Sequence, residues 1–232
     1  MESRRVCQIN EWADMNGMDK HRNQGLILFS PRLSLFEEMG VILMDKWSLR
    51  DVVLLAFLAF LFGGVFMGAD AIYALLAAAL TPIGYAPFAN EILFGMWVMA
   101  APMTAMLLQK KGSSILGECL AALAEMLYGS YFGPAVLLSG FVQGLGSEAG
   151  FIVTRYRRYD TVSLLLAAVG TTVFSFAYEY FKLGYGAYSL GMILALVTVR
   201  LLSVIFFGVV LVQLVMKLYE QAAGVKRLTG RS

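Results

Sequence analysis

The chain has 232 residues, 59% of them hydrophobic and only 15% charged, with a formal net charge of +2 and a mean hydropathy of +0.71. A soluble domain carries roughly 25% charged residues, so the composition is that of a membrane protein, and the small net charge leaves no electrostatic footprint for nucleic acid. Cys7, Cys119 and the single His21 make neither a disulfide framework nor a zinc site, so no metal and no cofactor is expected.

In chain order, residues 1–43 are polar and mixed in charge, and their one apolar patch, LILFS, is too short for a signal-peptide core. They are expected to be a disordered extension ahead of a start-like MDKWSLRD at Met44. The membrane domain is expected over 44–220, followed by a basic cytoplasmic tail over 221–232. Six spans are predicted, over 49–68, 88–109, 113–130, 134–154, 161–182 and 188–218, each near the ~20 residues a bilayer requires. The short apolar segment 70–82 reads as a separate extracellular half-helix closed by Pro82 and the turn-rich GYAP. The fold class is thus an all-α integral membrane protein, a six-transmembrane-helix bundle with an extracellular half-helix.

Charge sets the orientation. Lys46 and Arg50 precede the first span, Lys110 and Lys111 follow the second, and Arg155, Arg157 and Arg158 follow the fourth. Lys217, Lys226, Arg227 and Arg231 close the chain on that same side, with Lys182 the exception opposite. The positive-inside rule makes the basic side, and with it both termini, cytoplasmic. There is no G-x-x-x-x-G-K-S/T, so the chain does not itself hold ATP in a phosphate loop. With no H-E-x-x-H and no membrane histidine to activate a nucleophile, no enzymatic role is expected.

Ionisable side chains inside spans are functional candidates, because a charge at the bilayer centre costs at least ~2.5–3.5 kcal/mol. Counted along the helices, Asp70, Glu91, Glu125 and Glu179 fall at one extracellular level with Lys182, among Tyr73, Tyr85, Trp97, Tyr128, Tyr131, Tyr178, Tyr180, Tyr185 and Tyr188. Each ring alone fits an interfacial aromatic belt. Together with carboxylates they suit a flat organic cation, which stacks on the rings and pairs with an acid. Glu118 and Glu148 lie deeper, and Arg200 near mid-depth, so an internal ion pair of Arg200 with Glu148 or Glu118 is expected to lock helices together.

The string GFVQGLGSEAG at 140–150 combines these themes. Gly140 and Gly144, like Gly146 and Gly150, are four apart and form small-residue ridges for close helix approach. Gln143 falls roughly 13 Å from the outer end of its span, at the floor of an outward cavity, with Glu148 below it.

KWSLRDVV at 46–53, NEILFGMW at 90–97, GECLAALAEMLYG at 117–129, GFVQGLGSEA at 140–149, SFAYEYFKLGY at 175–185 and VRLLS at 199–203 together resemble the YkoE family. These are substrate-binding S-components of energy-coupling factor (ECF) vitamin transporters. The resemblance covers about residues 44–220. It implies a plasma-membrane binder of thiamin or hydroxymethylpyrimidine, working with a transmembrane T-component and two cytoplasmic ATPase subunits. The matching site positions are Glu91, Trp97, Glu125, Gln143, Tyr178 and Glu179, and Tyr128 at the same level joins them as a ligand contact. Lateral docking in lipid relies on small residues, and the first span offers Ala59, Gly63, Gly64 and Gly68. An ion-coupled carrier of a small organic cation and a purely structural membrane subunit are the alternative readings; carriers often show internal repeats, and none is detected.

Overall fold

The structure, a computed structural model, describes residues 47–222 and 224. The expected extension over 1–43, most of the basic tail, Lys46, Lys226, Arg227 and Arg231 lie outside the described residues. The packing discussed below lies within the unit Arg50–Ser232.

Every regular element among the described residues is helical: α1 (Leu49–Leu80), α2 (Pro87–Trp97), α3 (Ala100–Leu108), α4 (Ser113–Tyr128), α5 (Ala135–Val153), α6 (Thr161–Lys182), α7 (Leu190–Ile205) and α8 (Val212–Ala222). A π-helical turn, Phe206–Leu211, joins α7 to α8 without a break in direction of the chain, and a 3-10 turn, Tyr185–Ala187, precedes α7. Among the described residues five stretches are long and apolar enough to cross a bilayer: Leu49–Ile83, Pro87–Leu108, Ala135–Val153, Thr161–Lys182 and Leu190–Ala222. The expected third span forms the 16-residue α4, short of the ~20 residues usual for crossing. Left-handed glycines, Gly112 at φ 79° and Gly129 at φ 97°, bound it at both ends.

Two expectations for the first span change. Segment 70–82 is not a separate half-helix; it continues α1, which runs unbroken for 32 residues. ADAIYALLAAAL holds no glycine or proline and is rich in good helix formers, so nothing ends the helix before the 3-10 turn Thr81–Ile83. The four small residues also divide. Ala59 is buried, and a Cβ added to Gly63 would meet Ala124 Cβ at 2.6 Å, so Gly63 packs α1 against α4. Gly64 and Gly68 face open space.

The neighbours run α3–α4–α5–α6–α7, and α7 returns to α2. The glycine string explains the closeness of the middle of this series. A Cβ on Gly140 would lie 2.7 Å from Ala122 Cβ, and one on Gly144 would lie 2.9 Å from Ile115 Cα, so this ridge serves α4. On the other ridge, a Cβ on Gly146 would lie 2.7 Å from both Gly170 O and Thr171 Cα, on α6. Without side chains between them, the backbones gain van der Waals contact that lipid would otherwise supply.

Pro102 breaks the second span. It has no N–H for the carbonyl of Val98, and its ring crowds that carbonyl; the helix is interrupted at Val98–Met99, between α2 and α3. The interruption frees backbone donors deep in the bundle. Glu118 Oε2 accepts the Ala101 N–H at 2.7 Å. Glu148 does the same for the start of α4, accepting from Gly112 N at 2.6 Å and Ser114 N at 3.0 Å. The Tyr156 hydroxyl donates to Glu148 at 2.7 Å; burial first, then that carboxylate, push the phenol's pKa up, so it remains a donor. Both glutamates complement the positive end of a helix dipole.

Gly146→Leu should therefore separate α5 from α6 and abolish a monodisperse peak in size-exclusion chromatography. Gly64→Leu, on open space, should leave that peak unchanged.

Candidate functional site

Arg200 is fully buried on α7 and holds three helices together. Its Nε and Nη2 donate to Glu91 at 2.5 and 2.8 Å, Nη2 also donates to Glu179, and Nη1 donates to Ser175 at 3.1 Å. Its guanidinium carbon lies 3.9 Å from the centroid of the Phe94 ring, a cation–π contact on the remaining face. Arg200 is thus paired with Glu91 on α2 and Glu179 on α6, and not with Glu118 or Glu148 as expected. The physical reason is adjacency: α7 packs on α2 and α6, whereas Glu118 and Glu148 sit on α4 and α5 and are engaged by helix N-termini.

Beside this pair opens a cavity of about 350 Å³, within the range of small-molecule sites. One wall is aromatic. Tyr73 from α1, Trp97 at the end of α2 and Phe132 from the turn after α4 have ring centroids 5.1–5.9 Å apart, with Phe94 and Tyr185 also lining the space. The polar wall is Glu125, Gln143, Asn90 and Glu179, with Lys182 also at the lining. Gln143 Nε2 donates to Ser139 Oγ at 3.0 Å, and Asn90 Nδ2 donates to Glu179 at 2.9 Å. The aromatic faces and convergent donors and acceptors suit a flat, polar heterocycle.

At the base of the aromatic wall two carboxyl groups meet. Asp70 accepts from Trp97 Nε1 at 3.0 Å, from Tyr131 N at 3.0 Å and from the Ser130 hydroxyl at 2.6 Å. Ser130 Oγ is also 2.9 Å from Glu125 Oε1. No lysine or arginine among the described residues comes within 4.0 Å of either carboxyl group.

Of the seven expected ligand contacts, Trp97, Glu125, Gln143 and Glu179 line the cavity. The other three do not. Glu91 is sealed behind it, both oxygens taken by Arg200 and Oε1 also by the Tyr185 hydroxyl at 2.9 Å. Tyr128 turns outward, donating to Phe60 O at 3.1 Å with its ring edge-to-face on Phe60. Tyr178 lies beneath the Lys182 ammonium, 5.3 Å from its ring centroid, outside the cavity wall. Asn90, Phe132 and Ser139 were absent from the sequence reading. Asn90 directly precedes an intramembrane glutamate, and Phe132 lies in a turn bounded by Gly129 and Gly133; those were the available signals.

Residues 50–174 match the profile of a family described as "ABC-type cobalt transport system, permease component". A Bacillus subtilis (strain 168) protein named "Putative HMP/thiamine permease protein YkoE" is 36% identical over 160 residues, which are 69% of this chain and 78% of that protein. A solved structure described as "Crystal structure of an S-component of ECF transporter" is 32% identical, with a TM-score of 0.72 over 77% of this chain and 88% of the other.

Removing the buried cation should be costly whatever the cavity binds. Arg200→Ala strands Glu91 and Glu179 and should destabilise by about 3–5 kcal/mol, read as a lower thermal unfolding midpoint in detergent. Adding Glu91→Gln should recover part of that loss, whereas adding Glu148→Gln should not.

Proposed function

The chain belongs to the YkoE family of S-components of ECF transporters, which are transporter subunits and not enzymes, and on that premise we propose that its cavity binds thiamin or hydroxymethylpyrimidine. The bound molecule is passed to a T-component driven by two cytoplasmic ATPase subunits. The observation that carries the ligand reading is the meeting of the Tyr73–Trp97–Phe132 wall with Glu125, a carboxyl group with no lysine or arginine within 4.0 Å among the described residues. An aminopyrimidine stacks on such a wall and exchanges hydrogen bonds with Gln143 and Asn90, while a thiazolium supplies a positive charge for Glu125 to pair with. The name of the Bacillus subtilis relative supports the same class of ligand.

Orientation follows from charge. Arg50, Lys110, Lys111, Arg155, Arg157 and Arg158 lie at helix ends opposite the cavity, and Lys182 alone stands beside it. The positive-inside rule then places the cavity outside the plasma membrane and both termini in the cytoplasm. Mass spectrometry of small molecules released from the purified protein tests the ligand directly; an empty protein that also binds neither candidate in titration calorimetry would sink the reading. Gln143→Leu should weaken thiamin binding by about tenfold, the loss of roughly one buried hydrogen bond.

Docking on the T-component uses the outer face of α1, where Gly64 and Gly68 leave open space and lipid gives no competing apolar drive. Gly64→Leu or Gly68→Leu should abolish co-purification with the T-component and leave thiamin affinity of the isolated subunit unchanged. Co-purification retained in both variants would move the docking face elsewhere.

A further inference from the structure

The hydroxyl of Ser130 carries one proton and two lone pairs, and its surroundings count the protons on the carboxyl groups around it. One lone pair takes the Phe132 N–H at 3.2 Å. Two carboxyl oxygens also lie within hydrogen-bond distance, Asp70 Oδ2 at 2.6 Å and Glu125 Oε1 at 2.9 Å. The hydroxyl donates to one of them only. The other contact is a hydrogen bond only where that carboxyl group carries a proton of its own and donates to the remaining lone pair.

Which carboxyl group holds the proton follows from the other donors. Asp70 receives Trp97 Nε1–H and the Tyr131 N–H besides the hydroxyl, and several donors aimed at a carboxylate favour its ionised form. Among the described residues Glu125 receives no backbone or ring N–H; its contacts are the Ser130 hydroxyl and the Asp70 carboxyl group, and it faces the cavity. We infer that Glu125 is a neutral acid in the empty cavity and that a cationic ligand displaces its proton, so that binding is an exchange of one organic cation for one proton. In the step, the Glu125 O–H bond breaks, the proton leaves through the open cavity to water, and the carboxylate pairs with the ligand cation; the charge within the site is the same before and after. This rests on the cavity being the ligand site.

The other groups around Glu125 do not supply that proton balance. On α1 these are Asp70, whose oxygens face the donors Trp97 Nε1–H, Tyr131 N–H and the Ser130 hydroxyl, and Tyr73. On α4, Glu118 lies two turns away, with Oε2 on the Ala101 N–H. Glu179 on α6 and Glu91 on α2 are held by Arg200. Tyr185 and Tyr188 from the turn are phenols, with Tyr185 pushed up first by burial and then by Glu91. Lys182 stands over Tyr178.

Titration calorimetry of thiamin in buffers of different ionisation enthalpy reads the exchange directly. About one proton should be released per thiamin bound, and affinity should rise by about tenfold per pH unit while Glu125 is protonated in the free protein. The E125Q protein should release none and show a flat pH profile. A second readout needs no ligand: the infrared carbonyl stretch of a protonated carboxylic acid should be present in the empty wild-type protein and reduced in E125Q. Thiamin binding without proton release, or an infrared difference spectrum lacking that band, overturns the exchange. Failure of thiamin to bind at any pH overturns the ligand reading instead, and the infrared band still decides the state of Glu125.

Discussion

Arg200 sets the terms for the rest of the structure. A guanidinium with no access to water must have its charge and its donors answered within the protein, and here two glutamates, one serine and the face of Phe94 answer them. That requirement fixes α2, α6 and α7 against one another at the depth of the cavity. It also consumes Glu91 and most of Glu179, leaving Glu125 as the carboxyl group of the cavity wall that Arg200 does not engage. The wall opposite the ion pair therefore owes its chemistry to what Arg200 does not reach.

The intramembrane carboxyl groups divide into three kinds of work by what lies next to them. Glu91 and Glu179 neutralise a cation. Glu118 and Glu148 receive backbone N–H groups at the starts of α3 and α4, where an interrupted chain would otherwise leave donors unmet in a medium without water. Asp70 and Glu125 shape the cavity. The same side chain serves as counter-ion, helix cap or cavity wall according to its neighbour.

Much of this was readable from residue type and spacing. The four glycines of residues 140–150 announced two close helix contacts, and the structure assigns one ridge to α4 and the other to α6. The depth count put Asp70, Glu91, Glu125 and Glu179 at one level, and the structure brings Asp70 to Glu125 at Ser130 and Glu91 to Glu179 at Arg200. What spacing along a helix does not carry is which helices are neighbours, so the partner of Arg200 was misplaced onto α4 and α5. Nor does depth carry rotation: Tyr128 and Tyr178 lie at the right level and face the wrong way. The second span, expected unbroken over 88–109, is interrupted after Trp97 by Pro102, and the consequence, a donor that Glu118 satisfies, needed the fold.

α1 links the cavity to the outside of the bundle. Its inner face packs Gly63 on α4, its upper part contributes Phe66 and Tyr73 to the cavity and places Asp70 behind Trp97, and Gly64 and Gly68 leave its outer face smooth. Gly64 and Asp70 are six residues apart, about 9 Å along an unbroken helix. Asp70 in turn holds Trp97 and the turn at Ser130–Tyr131, which carries Phe132 into the aromatic wall. A partner that tilts or shifts α1 from its outer face would move Asp70 with it, and with Asp70 two of the three rings of that wall. Had 70–82 been a separate half-helix, a hinge would have absorbed such a shift. The continuous helix transmits it.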